Sequence, residues 1–111
     1  MRLVITRYGA LIPWLYEKQL IERGRYVRRI HAGPEHVRDT EVITTHVLPL
    51  PLMALAKSVS LIPLAFTLED KEEPYVTKER IREIAGDPVT YVIRKCEPLS
   101  TLEAPQSALP T

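Results

Sequence analysis

The sequence predicts a small single α+β domain: a mixed, mainly antiparallel sheet of about four or five strands, with two longer helices packed on it. Three observations carry this. Short runs rich in β-branched residues recur along the chain. Two longer stretches carry helix start and stop signals. Gly33-Pro34 breaks one strand-like run, and a loop around Gly33 to Asp39 joins it to the next as in a hairpin.

The elements follow in order. Arg2 to Arg7 is short and β-branched and reads as a strand. Pro13 then suits the first turn of a helix, where its fixed φ fits and its missing N–H is not needed. The helix continues to Arg23, with Leu11, Trp14, Leu15 and Ile21 as its apolar stripe and Gly24 as its left-handed cap. Arg25 to His31 and Thr40 to Leu48 read as two strands of a hairpin. Leu52 to Lys57 reads as a short helix. Leu61 to Leu68 reads as a strand that Pro63 places near an edge or at an irregularity. Thr77 can cap a helix over Lys78 to Ala85, with Val76 and Ile81 placed as a hydrophobic staple. Gly86-Asp87-Pro88 ends that helix, and Val89 to Lys95 reads as a last strand.

The 111 residues fit one domain, expected over residues 1–96. Residues 97–111 hold Pro98, Pro105 and Pro110 without periodicity and read as a tail. Val47 to Phe66 is long and apolar enough to span a bilayer. Lys57 at its centre and Pro49, Pro51 and Pro63 argue instead for pieces of a core, so no membrane is expected. A single cysteine, Cys96, gives no internal disulfide, and the start of the chain shows no secretory signal pattern; the expected location is cytoplasmic. The chain has no Asn, two Gln, and ten Arg against five Lys. That balance suits a hyperthermophile, though a biased gene composition produces it as well.

Net charge is +1, unevenly spread: +5 over residues 1–38 and −4 over residues 39–111. Such asymmetry marks either a polyanion-binding end or two halves that neutralise each other on folding. Its focus is Arg23 to His31, where Arg23, Arg25, Arg28, Arg29, Tyr26 and His31 fall within nine residues. Arg grips phosphate bidentately and Tyr stacks on an exposed base. The expected function is therefore non-catalytic binding of DNA or RNA. Arg23, Arg25, Arg28 and Arg29 would meet phosphates, Tyr26 would stack or support that surface, and His31 and Arg38 would extend it. Structural ion pairing with Glu17, Glu22, Glu35 and the acidic second half competes with this reading.

A helix ending Glu22-Arg23-Gly24 and leading into a basic hairpin resembles the recognition-helix-to-wing step of winged-helix proteins, from Pro13 to Val47. The resemblance implies DNA contact. Winged-helix domains place two helices before the recognition helix, whereas twelve residues precede Pro13 here, so no recognition role passes to any residue.

Other chemistries have weaker support. His31, His36 and His46 match no metal-ligand spacing, and no metal or other cofactor is expected. Cys96 lacks a partner in sequence, and the glycines are too scattered for a phosphate loop. Paired acids occur only in the hydrophilic run from Glu69 to Glu73, so no catalytic residue is assigned. Two alternatives remain. In one, the apolar Leu48 to Phe66 segment forms a homodimer or other protein interface. In the other, a small enzyme assembles its site from His31, His46 or Glu residues far apart in sequence, which a pocket of convergent polar groups would favour.

Overall fold

The computed structural model describes residues 1–67, 70 and 76–94. The expected tail, Cys96 and most of the acidic run lie outside them. The fold is a small α+β domain built on a five-stranded mixed sheet in the order β2-β1-β3-β4-β5. Its strands are β1 (Arg2–Ile5), β2 (Tyr26–Arg29), β3 (Glu41–Thr44), β4 (Ser58–Leu61) and β5 (Val89–Tyr91). The helices are α1 (Leu11–Glu17), α2 (Pro34–Val37), α3 (Leu50–Leu55) and α4 (Lys78–Ile84).

The expectation of a mainly antiparallel sheet is corrected. β1 pairs in parallel with both β2 and β3, β3 pairs in parallel with β4, and only β4–β5 is antiparallel. The expected hairpin does not exist, because β1 lies between β2 and β3. With no hairpin there is no wing, and the winged-helix likeness ends there. Gly33-Pro34 is a helix start rather than a turn. Gly33 is extended, Pro34 occupies the first helical position, and the Nδ1 of His36 accepts the Gly33 N–H at 2.9 Å. This one-turn helix buries Val37 and carries the chain over one face of the sheet, from β2 to β3.

The parallel arrangement explains the strand compositions. β1 and β3 are central, and three consecutive residues of each are buried. Strands covered on both faces read as unbroken apolar runs rather than alternating ones. Val4, Ile43 and Ile62 pack under α1 and α4 with Leu11, Trp14, Leu15 and Ile81. Leu3, Ile5, Val42 and Val59 pack on the opposite face with Val37, Leu48 and Ala56. Fully burying a Leu or Ile side chain contributes about 1.5–3 kcal/mol, so these two clusters hold the layers together.

Local signals set the helix ends. In α1, Leu11, Trp14 and Leu15 repeat at three and four residues and face the sheet. The helix is shorter than expected, closing at Lys18, where Gln19 takes φ 59° and the Leu20 N–H reaches the Leu15 carbonyl at 2.9 Å. Gly24 (φ 76°) instead sits in a tight turn that donates the Arg25 N–H to the Glu22 carbonyl, just before β2. At α4 the Thr77 hydroxyl accepts the Arg80 N–H at 3.2 Å, as its sequence position predicts, and Val76 packs on the cluster that holds Ile81.

The Val47–Phe66 stretch breaks into α3 and β4, with Leu48, Ala56, Val59 and Ile62 in the core. Among the described residues no helix is long and apolar enough to cross a membrane.

Candidate functional site

The strand order creates one structurally distinct place. From β1 the chain crosses to β2 through α1 on one face, while from β3 it crosses to β4 through α3 on the opposite face. The two connections diverge, which leaves a crevice outside the carboxyl ends of β1 and β3. In open sheets with parallel strands, such a switch point is where ligands bind.

Side chains from four connections line this crevice: Arg7 and Tyr8 after β1, Ile30 and His31 after β2, Thr45 and His46 after β3, and Leu64 and Phe66 after β4. The cavity is about 420 Å³, within the usual range for small-ligand sites. Its floor is held by hydroxyls. Thr6, fully buried, shares a hydrogen bond with Thr45 at 3.0 Å and accepts the Tyr8 N–H at 3.1 Å. Thr44, also buried, donates to the His46 carbonyl at 2.9 Å and accepts the His46 N–H at 3.2 Å. Arg7 and His46 therefore project from fixed backbone, although their side chains are exposed. The Tyr8 and Phe66 rings pack against each other, centroids 5.0 Å apart and tilted by 46°. The crevice thus offers a guanidinium, two imidazoles and two aromatic rings.

The basic run is divided between the two ends of the sheet. Arg23 and Arg25 lie in the turn before β2, at the amino ends of the parallel strands, and Arg38 closes α2 at that same end. Arg28, Arg29 and His31 lie toward the carboxyl ends. Arg28 extends over the β1–α1 turn, where a Cβ at Gly9 would stand 3.8 Å from its guanidinium. Arg29 donates to the His31 carbonyl at 3.1 Å. Tyr26 is half-buried and packs edge-on against Tyr16, centroids 5.9 Å apart. It supports the join between α1 and β2.

Ion pairing concentrates elsewhere. Glu17 on α1 binds Lys78 at 2.7 Å and also Arg82, tying α1 to α4. These two cations hold its carboxyl well down, at about 2. Asp70 grips Arg80 through two hydrogen bonds of 2.7 and 2.8 Å and also accepts from Thr67; these bonds push its carboxyl below the usual range. Within the basic run, Arg25 meets Glu22 at 3.6 Å on the exposed surface. Among the described residues no acidic group lies within salt-bridge distance of Arg7, Arg23, Arg28, Arg29 or Arg38.

No family model, curated protein or solved structure matches this chain. The site must be read from its own geometry. His31 and His46 share the crevice, while His36 serves the start of α2. Among the described residues no three His, Cys, Asp or Glu side chains gather as a metal site would require.

Sequence reasoning missed Arg7, Tyr8 and Phe66. Arg7 and Tyr8 come just after β1, past Thr6, and His46 stands at the same position after β3 as Arg7 does after β1. Polar and aromatic residues just past two doubly buried strands are the signal that could have found them, but only once those strands are known to be parallel.

Proposed function

We propose that the protein binds single-stranded nucleic acid, DNA or RNA, in the crevice at the carboxyl ends of β1 and β3. One observation carries the reading: Arg7, His31 and His46 share a small-ligand-sized crevice with the Tyr8 and Phe66 rings, at the topological switch point. Cationic side chains take phosphates, and aromatic faces take bases regardless of sequence. Arg28, on the α1 face, and Arg29, on the opposite face, flank the crevice on the exposed edge strand β2 and offer contacts to neighbouring phosphates. In this reading Arg23, Arg25 and Arg38 belong to the opposite end and contribute little.

The test is equilibrium binding of short labelled oligonucleotides at about 50 mM salt, where electrostatic affinity is strong. Wild type should bind single strands. Tyr8→Ala should weaken that binding by about 1–3 kcal/mol while affecting duplex little. No binding to any single-stranded DNA or RNA under these conditions would refute the proposal.

The shared placement of His31 and His46 favours a second reading, in which the bound strand is cleaved. Imidazole is the side chain suited to exchanging protons near neutral pH. One would take the proton from an attacking hydroxyl and the other would protonate the leaving oxygen of a phosphodiester. Mass analysis of the oligonucleotides after incubation decides it. Shortened products that disappear in both His31→Ala and His46→Ala support cleavage, and intact strands throughout leave binding alone.

A further inference from the structure

We propose that β5 is the docking edge for a second copy of this chain, joining two sheets into one of ten strands by antiparallel β5–β5 pairing. The proposal does not rest on the nucleic-acid reading.

A sheet edge presents a row of unpaired backbone donors and acceptors that another strand can complete, and proteins that avoid this guard their edges with charge, proline or bulges. The two edges of this sheet differ in that respect. At the β2 edge, symmetric self-pairing brings like charges together. Centred on Val27, it sets Arg25 opposite Arg29; centred on Arg28, it sets that residue opposite its own copy. Like charges directly opposite one another are destabilising. The β5 edge runs Val89-Thr90-Tyr91-Val92-Ile93 without a charge, with Pro88 just before it and Arg94 just after. All three strand residues are exposed, and Val89, Tyr91 and Val92 keep 47%, 42% and 57% of their surface in water. Among the described residues nothing pairs with the outer side of β5. Apolar and β-branched side chains on both faces of an uncharged edge favour a strand of the same kind as its partner. With a net charge of +1, two copies repel each other little.

The register follows from symmetry. A two-fold axis that sets two β5 strands side by side and antiparallel must stand normal to the sheet, so each residue faces one on the same side of the pleat. Centring on Thr90 uses the whole of Val89–Tyr91. Val89 then meets the partner subunit's Tyr91, a β-branched residue opposite an aromatic one, on the α2/α3 face. Both residues already sit there, opposite Leu61 and Val59 of β4. On the other face Thr90 meets the partner subunit's Thr90. Since Thr90 shares a 2.8 Å hydrogen bond with Ser60, this extends a row of hydroxyls across the join. Aromatic–β-branched and Thr–Thr pairs are among the favourable cross-strand pairs. The same axis reverses the strand direction, so the two switch-point crevices open at opposite ends of the joined sheet, and pairing leaves both accessible.

Sedimentation of the full chain at roughly 100 μM tests this. The expected result is a dimer in the wild type and a monomer in Val89→Lys/Tyr91→Lys that still unfolds cooperatively, because both positions are exposed in the single chain. A mixture of Val89→Lys chains with Tyr91→Glu chains should associate more strongly than either alone, because the register sets these two positions opposite each other. A wild type that stays monomeric at this concentration overturns the proposal. So does a double-Lys variant that still dimerises, which would move the contact to another surface such as the exposed Val47 and Leu50. Failure of the mixed variants to associate, with a wild-type dimer, overturns the register and the pairing with it.

Discussion

The division of the basic residues between two ends of one sheet can be tested with two variants of equal charge. Arg7→Gln/Arg28→Gln/Arg29→Gln strips the carboxyl end, and Arg23→Gln/Arg25→Gln/Arg38→Gln strips the amino end. Each removes three positive charges from exposed positions, so any effect of net charge alone is the same in both. For single strands the salt slope falls by about 0.7 for each phosphate no longer neutralised, or roughly 2 for three phosphates. A rise from about 50 to 200 mM salt is fourfold, so a slope difference of roughly 2 is worth about a 20-fold difference in affinity across that range. The carboxyl-end variant should therefore bind more weakly at low salt, and its affinity should fall about 20-fold less than that of the wild type as salt rises. The amino-end variant should track the wild type. The assay is fluorescence anisotropy of one labelled oligonucleotide at four or five salt concentrations. Equal flattening in both variants would refute a localised site, and flattening only in the amino-end variant would place binding at the wrong end of the sheet.

Further predictions concern the scaffold. Leu15→Ala removes a fully buried side chain between α1 and the sheet and should cost about 2–5 kcal/mol, read from denaturant unfolding. A cost under about 1 kcal/mol would mean that the α1 layer is not packed as described. Thr77→Ala deletes the cap of α4 and should cost about 1 kcal/mol, whereas Thr77→Ser should cost little. Glu17 has its carboxyl lowered from 4.5 to about 2, so its ion pairs stabilise the fold fully above about pH 4.5 and cease to do so as pH falls through about 2. Glu17→Gln should accordingly lower the melting temperature at pH 6 and leave it nearly unchanged at pH 2. An equal deficit at both values would show that packing, not charge, is what the variant lacks.

Much of the secondary structure was legible in the chain because its signals are local. Pro13 in the first turn of α1, Thr77 before α4 and the β-branched runs of β1 and β3 act through neighbouring residues. Helix ends were less legible. Gly24 has the chemistry of a cap for α1, but Leu20 and Ile21 turn back onto the core, and the chain leaves the helix at Gln19, six residues after Pro13.

The amino-acid sequence by itself determined which residues are apolar, where α1 and α4 begin, and that a dense group of cations follows α1. Tertiary structure alone decided the strand directions. Gly33-Pro34 is compatible with a hairpin turn and with a helix start, and the choice depends on Val37 finding a buried place across the sheet from α1. That choice also decided the site. Parallel β1 and β3 put Arg7, Tyr8 and His46 at one end, together with His31 and Phe66 from other connections, while the turn before β2 carries Arg23 and Arg25 to the opposite end. Residues adjacent in sequence are separated by the length of a strand, and residues dozens of positions apart converge. The physical reason is that a parallel sheet gathers the ends of its strands, whereas sequence proximity follows only their course.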